Sequence, residues 1–330
     1  MNNKRAAIEI QFNWIFIVIV GAILFLFIIS LVFNQKKSAD TQLTQDVLKK
    51  ISSNIKGKQQ LTNTFSQIET IKTSYVFSCD PETLISDFKI SNAQREQLPL
   101  EIIFTPREFT AQKIDLLTLD FNVPFTVTRF IYISPSNIIF IVYNASENQE
   151  YSRDIYDALP NVNKKFVDSE SALANILKSY NTYRVICFKD SCPRNYNYIN
   201  IEPSIEGNIF SYGSISYNSR ISRNSVNYFG KESLLGAIYS DNQKYYLCQM
   251  NRALKQFELK RQLYERRIEI LQREFQNTNS ECYNVLVLPL TTLRNMENKG
   301  LEDSKDLYEL SNRLKNDNTD LLFRGCPLIY

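Results

Sequence analysis

The sequence predicts an α/β protein: an N-terminal transmembrane helix, then an α/β domain with a mixed or parallel sheet, then a mainly helical C-terminal domain with one long amphipathic helix. Three observations carry this. Residues 14–33 hold no charge and no proline. Between 73 and 188, short β-branched and aromatic runs alternate with helix-like segments, and from 245 to 276 apolar residues recur every three or four positions. The divisions that follow are 1–13 for a cytoplasmic N-terminus, 14–33 for the span, 38–57 for a juxtamembrane amphipathic helix, 66–230 for the α/β domain and 231–330 for the helical domain.

The run from Trp14 through Gly21 to Phe33 is twenty residues long. A helix of that length covers about 30 Å, the thickness of a bilayer core. A secretory signal has a shorter apolar core and a small-residue cleavage site behind it, whereas this run ends in Phe33, Asn34, Gln35, Lys36 and Lys37, so it reads as an uncleaved anchor. Lys4 and Arg5 on one side and Lys36 and Lys37 on the other leave orientation undecided by charge. The cysteines decide it. All six (Cys79, Cys187, Cys192, Cys248, Cys282, Cys326) follow the span, and an even set behind a membrane-targeting segment is the pattern of disulfides in an oxidising compartment. The expectation is a single-pass protein of the cell membrane with the bulk of its chain extracellular. The alternative is a cytosolic domain with reduced, buried cysteines. Asn144-Ala145-Ser146 is a glycosylation-type triplet and adds little.

Beyond the span, Leu43, Val47, Ile51 and Ile55 step by four, which predicts an amphipathic helix over 40–56 with Gly57 as its stop. Ser38 or Asp40 would cap a fresh helix, or the membrane helix runs on as a stalk. The runs SYVFSC, LEIIFTP, DLLTLDF, FTVTRFIYI and NIIFIVY between 73 and 143 read as strands, with Pro124 and Pro135 at bends or edges. Strand 138–143, helix 152–159, strand 165–168, helix 169–180 and strand 183–188 then form a β-α-β-α-β series, predicting a parallel, doubly wound layer. The loop after its first strand, 144–148, contains no glycine, so a scaffold is expected and not a dinucleotide site.

Cys187 and Cys192 close a short loop after that last strand and predict a local disulfide worth about 2 kcal/mol. The segments NYNYINIEP and NIFSYGSISY suggest a hairpin, and 219–229 a polar connection. Leu247, Met250, Leu254, Phe257, Arg261, Tyr264, Ile268, Leu271 and Phe275 form a heptad-like seam broken at its centre by the arginine. The seam either pairs protomers, with Arg261 fixing register, or packs on the chain's own later helices, with Leu259, Leu263 and Ile270 broadening the apolar face as a core requires. Helices over 284–296 and 304–315 follow. An apolar tail that carries a cysteine predicts that 321–330 is pinned, through Cys282 to Cys326, leaving Cys79 to join Cys248. Other pairings of these four are possible.

Thirty-eight basic and 35 acidic residues give a net charge of +3 with no long like-charge run, so no nucleic-acid footprint is expected. There is no histidine, which removes the commonest general base, the Ser-His-Asp and Cys-His arrangements and His-containing metal sites. The chain is therefore expected to be non-enzymatic, without cofactor, metal or evident small-molecule ligand. Its expected partners are the membrane and either another protein or further copies of itself, in envelope organisation or protein contact. The enzyme alternative is a surface enzyme using carboxylates such as Asp168 or Asp190, each of which is more often a helix cap or loop residue.

Two resemblances extend this reading. Lys4-Arg5-Ala6-Ala7-Ile8-Glu9-Ile10-Gln11-Phe12 ahead of an apolar helix resembles the class III signal of archaeal type IV pilin-like proteins. That resemblance implies cleavage near Ala6 or Ala7 and a pilin-like or pseudopilin subunit. Cutting before Ala7 places Gln11 at the fifth mature position, where that family carries an acidic residue, and Glu9 at the third. Phe12-Asn13-Trp14-Ile15-Phe16, Asp120-Phe121-Asn122-Val123-Pro124-Phe125, Gly236-Ala237-Ile238-Tyr239-Ser240 and Gly325-Cys326-Pro327-Leu328-Ile329-Tyr330 resemble an uncharacterised family of single-span membrane proteins from small-genome archaea. This implies the same topology and no activity.

Overall fold

The computed structural model describes residues 3–58, 63–91, 95–143, 149–160, 162–193, 196–204, 208–218, 225–276 and 281–330. The chain opens with one uninterrupted helix, α1 (Asn3–Lys58). Neither Ser38 nor Asp40 starts a new helix, so the apolar stretch runs on as a stalk and stops one residue past Gly57.

Two mixed six-stranded sheets follow. The first contains β1 (Phe65–Cys79), β2 (Ser86–Ile90), β3 (Glu96–Gln97), β4 (Ile102–Phe104), β5 (Glu108–Asn122) and β6 (Thr126–Pro135), in the order β3-β2-β1-β5-β6-β4. Its pairs are antiparallel apart from β4, which lies parallel to β6. Pro124 falls in the turn between β5 and β6, and Pro135 closes β6. Side chains alternate across this sheet. Leu117, Phe121, Phe130 and Tyr132 face a central core, while Ile114, Leu116, Ile131 and Ile133 face a second cluster with Tyr75, Phe77, Phe88 and Ile90.

The second sheet holds β7 (Ile139–Tyr143), β8 (Lys164–Val167), β9 (Tyr183–Phe188), β10 (Tyr198–Pro203), β11 (Tyr212–Asn218) and β12 (Ser225–Phe229), in the order β12-β11-β10-β9-β7-β8. Parallel pairing is confined to β8, β7, β9 and β10. Helix α2 (Gln149–Ala158) connects β7 to β8 and α3 (Glu170–Leu177) connects β8 to β9. Ile155 and Leu159 at the end of the first crossover enter the central core, whereas Leu173 of α3 joins a separate cluster with Ile139, Ile141, Val167 and Val185. The two crossovers therefore cover opposite faces, as a doubly wound layer requires. Ser169 caps α3 by accepting from Ala172 N. The expected hairpin is the antiparallel β10 and β11. The polar connection expected over 219–229 is corrected in its second half: 225–229 is a strand, because Val226 and Tyr228 alternate with Ser225 and Asn227 and bury one face. Residues 219–224 lie outside the described residues, as do the 144–148 loop and the Asn144-Ala145-Ser146 triplet.

The helices are α4 (Gly230–Tyr239), α5 (Gln243–Gln276), α6 (Glu281–Val285), α7 (Val287–Asn295) and α8 (Ser304–Phe323). The helix expected over 284–296 is thus two, and the one expected over 304–315 continues to Phe323. Helix α4 packs between the sheets and is buried from Ser233 through Tyr239. Tyr132 of β6 donates to Glu232 O at 2.8 Å, and from the second sheet Tyr217 donates to Ala237 O at 2.9 Å and Arg184 to Ser240 O at 2.7 Å. Burial pushes the Tyr132 and Tyr217 hydroxyls well above the usual tyrosine range, so they remain neutral donors. The same central core runs on into α5, α7 and α8 through Phe257, Ile268, Leu293, Leu307 and Leu314.

Gly236 is where α4 meets the first sheet: a Cβ there would lie 2.9 Å from the Phe104 ring. That ring already contacts Phe130, Tyr132 and Tyr246 and has little room to retreat. Gly236→Val is expected to lose about 2 kcal/mol through overpacking, seen as a lowered Tm of the full chain; an unchanged Tm would show that α4 is not clamped.

Candidate functional site

The candidate site is the apolar stretch of α1 and the seat that holds that helix to the head. Among the described residues one helical segment, Phe16–Lys36, is long and apolar enough to cross a membrane. No part of it is buried within the protein, and Trp14 and Phe33 are both exposed. Farther along the same helix, from Leu48, the environment reverses. Leu48, Ile51 and Ile55 are buried in the cluster on the outer face of the first sheet. Three such side chains leaving water contribute on the order of 5 kcal/mol, enough to hold the stalk to the sheet. Ser52 donates to Glu96 Oε1 at 3.0 Å, and Lys56 Nζ lies 2.8 Å from the same oxygen. The Lys56 hydrogen bond holds the Glu96 carboxyl below its usual range, and the Lys56 ammonium is raised in return.

Cysteines brace the head that the anchor carries. Cys79 at the end of β1 lies at disulfide distance from Cys248 on α5, Cys187 from Cys192, and Cys282 on α6 from Cys326. These are the pairs expected from the sequence. The first closes a loop of 169 residues, which on loop entropy is worth about 5 kcal/mol. It sits beside a buried polar cluster: Arg252 of α5 donates to the carbonyls of Leu98, Pro99 and Glu101 and to Gln249 Oε1, while Gln249 accepts from Ile103 N and donates to Ser86. Together they fix α5 to the irregular chain between β3 and β4.

The third pair depends on a helix end. Gly325 adopts a φ of +68°; its N–H bonds Leu322 O at 3.1 Å, and Cys326 N–H bonds Leu321 O at 2.9 Å. This is a Schellman turn, and glycine is the residue that enters it without steric cost. The turn sends the tail back over the head, where Ile329 N–H donates to Asn318 Oδ1 and the Tyr330 ring packs near Phe125 and Tyr264. Burial pushes the Tyr330 hydroxyl up to about 12.

The α5 seam is occupied within this chain. Met250, Phe257 and Ile268 are buried in the central core, and Leu247, Leu254, Tyr264, Leu271 and Phe275 pack against it. Arg261, only 2% exposed, is held by Glu258 at 2.6 Å and Glu265 at 2.8 Å on its own helix and donates to Leu293 O at 3.3 Å. Arg261 in turn holds the Glu258 carboxyl down. Leu259, Leu263 and Ile270 do not broaden this buried face: they are 65%, 64% and 54% exposed. Each follows a seam residue by two positions, about 200° around an α-helix, which carries it to the solvent side of a helix buried along one stripe.

Asp168 follows β8 and lines a cleft of about 590 Å³ with Glu150, Arg153, Asp154, Phe166 and Ile176. Asp190 belongs to the 3-10 turn Lys189–Ser191 after β9. Among the described residues no group of three or more His, Cys, Asp or Glu side chains is placed to hold a metal. Comparison of the chain with protein-family models, with curated proteins and with solved structures finds no match.

The Glu96 contact sets a pH dependence. A carboxyl whose pKa is depressed on folding stabilises above its unfolded value, near 4.5, and loses that contribution as pH falls through the folded value. Because Lys56 and Glu96 are partly exposed, the effect is about 0.5 kcal/mol. Glu96→Gln is expected to melt slightly below the wild type at pH 7, with the gap closing below pH 4; a gap that is constant with pH would rule out this pairing.

Proposed function

We propose that the chain is a non-enzymatic cell-surface protein, anchored by a single span, whose cysteine-braced head is displayed outside the membrane for envelope organisation or contact with another protein. The observation that carries the proposal is the continuity of α1: one helix is bare and apolar over Phe16–Lys36 and bedded in the first sheet by Leu48, Ile51 and Ile55. A helix with no break between its two environments transmits position, so the head has a defined attitude to the bilayer. The three cysteine pairs favour the oxidising side. Protease added to intact cells is expected to digest exposed loops of the 38–330 region while a short N-terminal fragment stays with the membrane. A head untouched in intact cells yet degraded after lysis would place it inside and overturn the proposal.

A second reading, a pilin-like subunit, draws on the same helix. In that reading the bare apolar part of α1 packs on other copies, while its later part stays bedded on the first sheet through Leu48, Ile51 and Ile55. The mature N-terminus separates the readings. A chain starting at Ala7 supports the pilin-like one, and a chain starting at Met1 removes it.

A further inference from the structure

The second sheet changes character beyond β9. On their inner face β10, β11 and β12 offer Ile199, Ile201, Ile215, Val226 and Tyr228 to the core. Among the alternate positions, polar residues lie in two registered rows across the strands: Asn200, Ser216 and Ser225 in one, Glu202, Ser214 and Asn227 in the other. Where the second row meets the start of α8 the surface closes into an open cleft of about 590 Å³, lined by Glu202, Ser204, Tyr212, Ser214, Asn227 and Lys305 among others. The wall is fixed, since Asn227 Nδ2 donates to Glu302 O at 3.3 Å. Asn200 Nδ2 steadies the Glu202 carboxylate at 3.2 Å, and the Tyr212 ring packs 5.8 Å from that of Tyr308.

We propose that this cleft is a carbohydrate-binding site, taking a neutral polyhydroxylated ring such as one terminal sugar of a surface glycan. The lining chemistry selects the class. One lysine stands against Glu202 and Glu302, so the cleft lacks the cationic excess a phosphate or sulfate needs. No group of three or more His, Cys, Asp or Glu side chains is placed to hold a metal among the described residues, and the carboxylates, serines and amide interrupt the apolar surface of Pro203, Tyr212 and Gly213, which leaves no continuous bed for an acyl chain. Sugar hydroxyls donate and accept together. A carboxylate accepts from two of them, serine hydroxyls and an amide do both, and an aromatic ring offers an apolar surface to the C–H face of the sugar. The cleft supplies all three kinds of group.

The inference goes beyond display at the surface, and its test uses purified protein, so it stands or falls independently of membrane orientation. The full chain is placed in phospholipid nanodiscs, avoiding sugar-headgroup detergents. Saturation-transfer NMR is then recorded with the methyl glycosides of glucose, mannose, galactose and N-acetylglucosamine. At least one is expected to bind with a Kd on the order of 1 mM, and Ser214→Trp, which fills the cleft, is expected to abolish the signal. Glu202→Gln sits at an exposed position and keeps the fold; it is expected to weaken binding roughly tenfold, the loss of one charge-assisted hydrogen bond. No transfer from any of the four sugars overturns the proposal, as does transfer that persists undiminished in both variants.

Discussion

Helix α4 is the constraint on which the two sheets depend. Ten residues are too few to hold a helix in water, and this one is buried without interruption from Ser233 to Tyr239. It persists because both sheets close on it and because its backbone carbonyls are met from both sides, by Tyr132 from the first sheet and by Tyr217 and Arg184 from the second. A buried carbonyl left without a donor costs about 1 to 3 kcal/mol. Each of these side chains therefore does more than fill space. Removing either sheet would expose an apolar helix and strand its polar groups, so the sheets and α4 form one cooperative unit.

Helix α1 extends that unit out of the head. A helix of 56 residues is about 84 Å long. Its last third is fixed to the outer face of the first sheet, whose inner face packs with α4. Displacement of the apolar segment is then passed to the sheet directly, without the slack a linker would allow. The Cys79 to Cys248 pair ties the end of β1 to α5, so the long helix shares the same frame. Cys282 to Cys326 performs the corresponding task at the far end of the helical region, where the Schellman turn at Gly325 delivers the second cysteine.

Much of this architecture was legible in the sequence where apolar patterning and chemistry agreed. The β7 to β9 series, the period of α5 and the pinned tail put apolar side chains into the core, and burial is what periodicity reports; the charge-free run, which is exposed, was legible by length and composition alone. Elements with little buried surface left weaker traces. The first half of β1 reads Phe65-Ser66-Gln67-Ile68-Glu69-Thr70-Ile71-Lys72, of which only Ile68 is buried, and its strand state comes from pairing with β5. Strand β12 is masked by its serine and asparagine positions. Leu259, Leu263 and Ile270 were misplaced because a helix that reads as apolar on two sides does not say which side the core takes. Gly325 with Pro327 was a readable stop signal. The polar cleft was not readable at all: its residues come from β10, β11, β12 and the start of α8, and no spacing in the sequence joins them.

The proposed placement of this head on the oxidising side of a membrane, at the end of one continuous helix, can be read from the state of its cysteines. Mass spectrometry of the protein taken from its own membranes without reductant, with free thiols blocked at lysis, reads that state. The account predicts three bridged pairs, Cys79 with Cys248, Cys187 with Cys192 and Cys282 with Cys326. Six free thiols would put the head in a reducing compartment and contradict it.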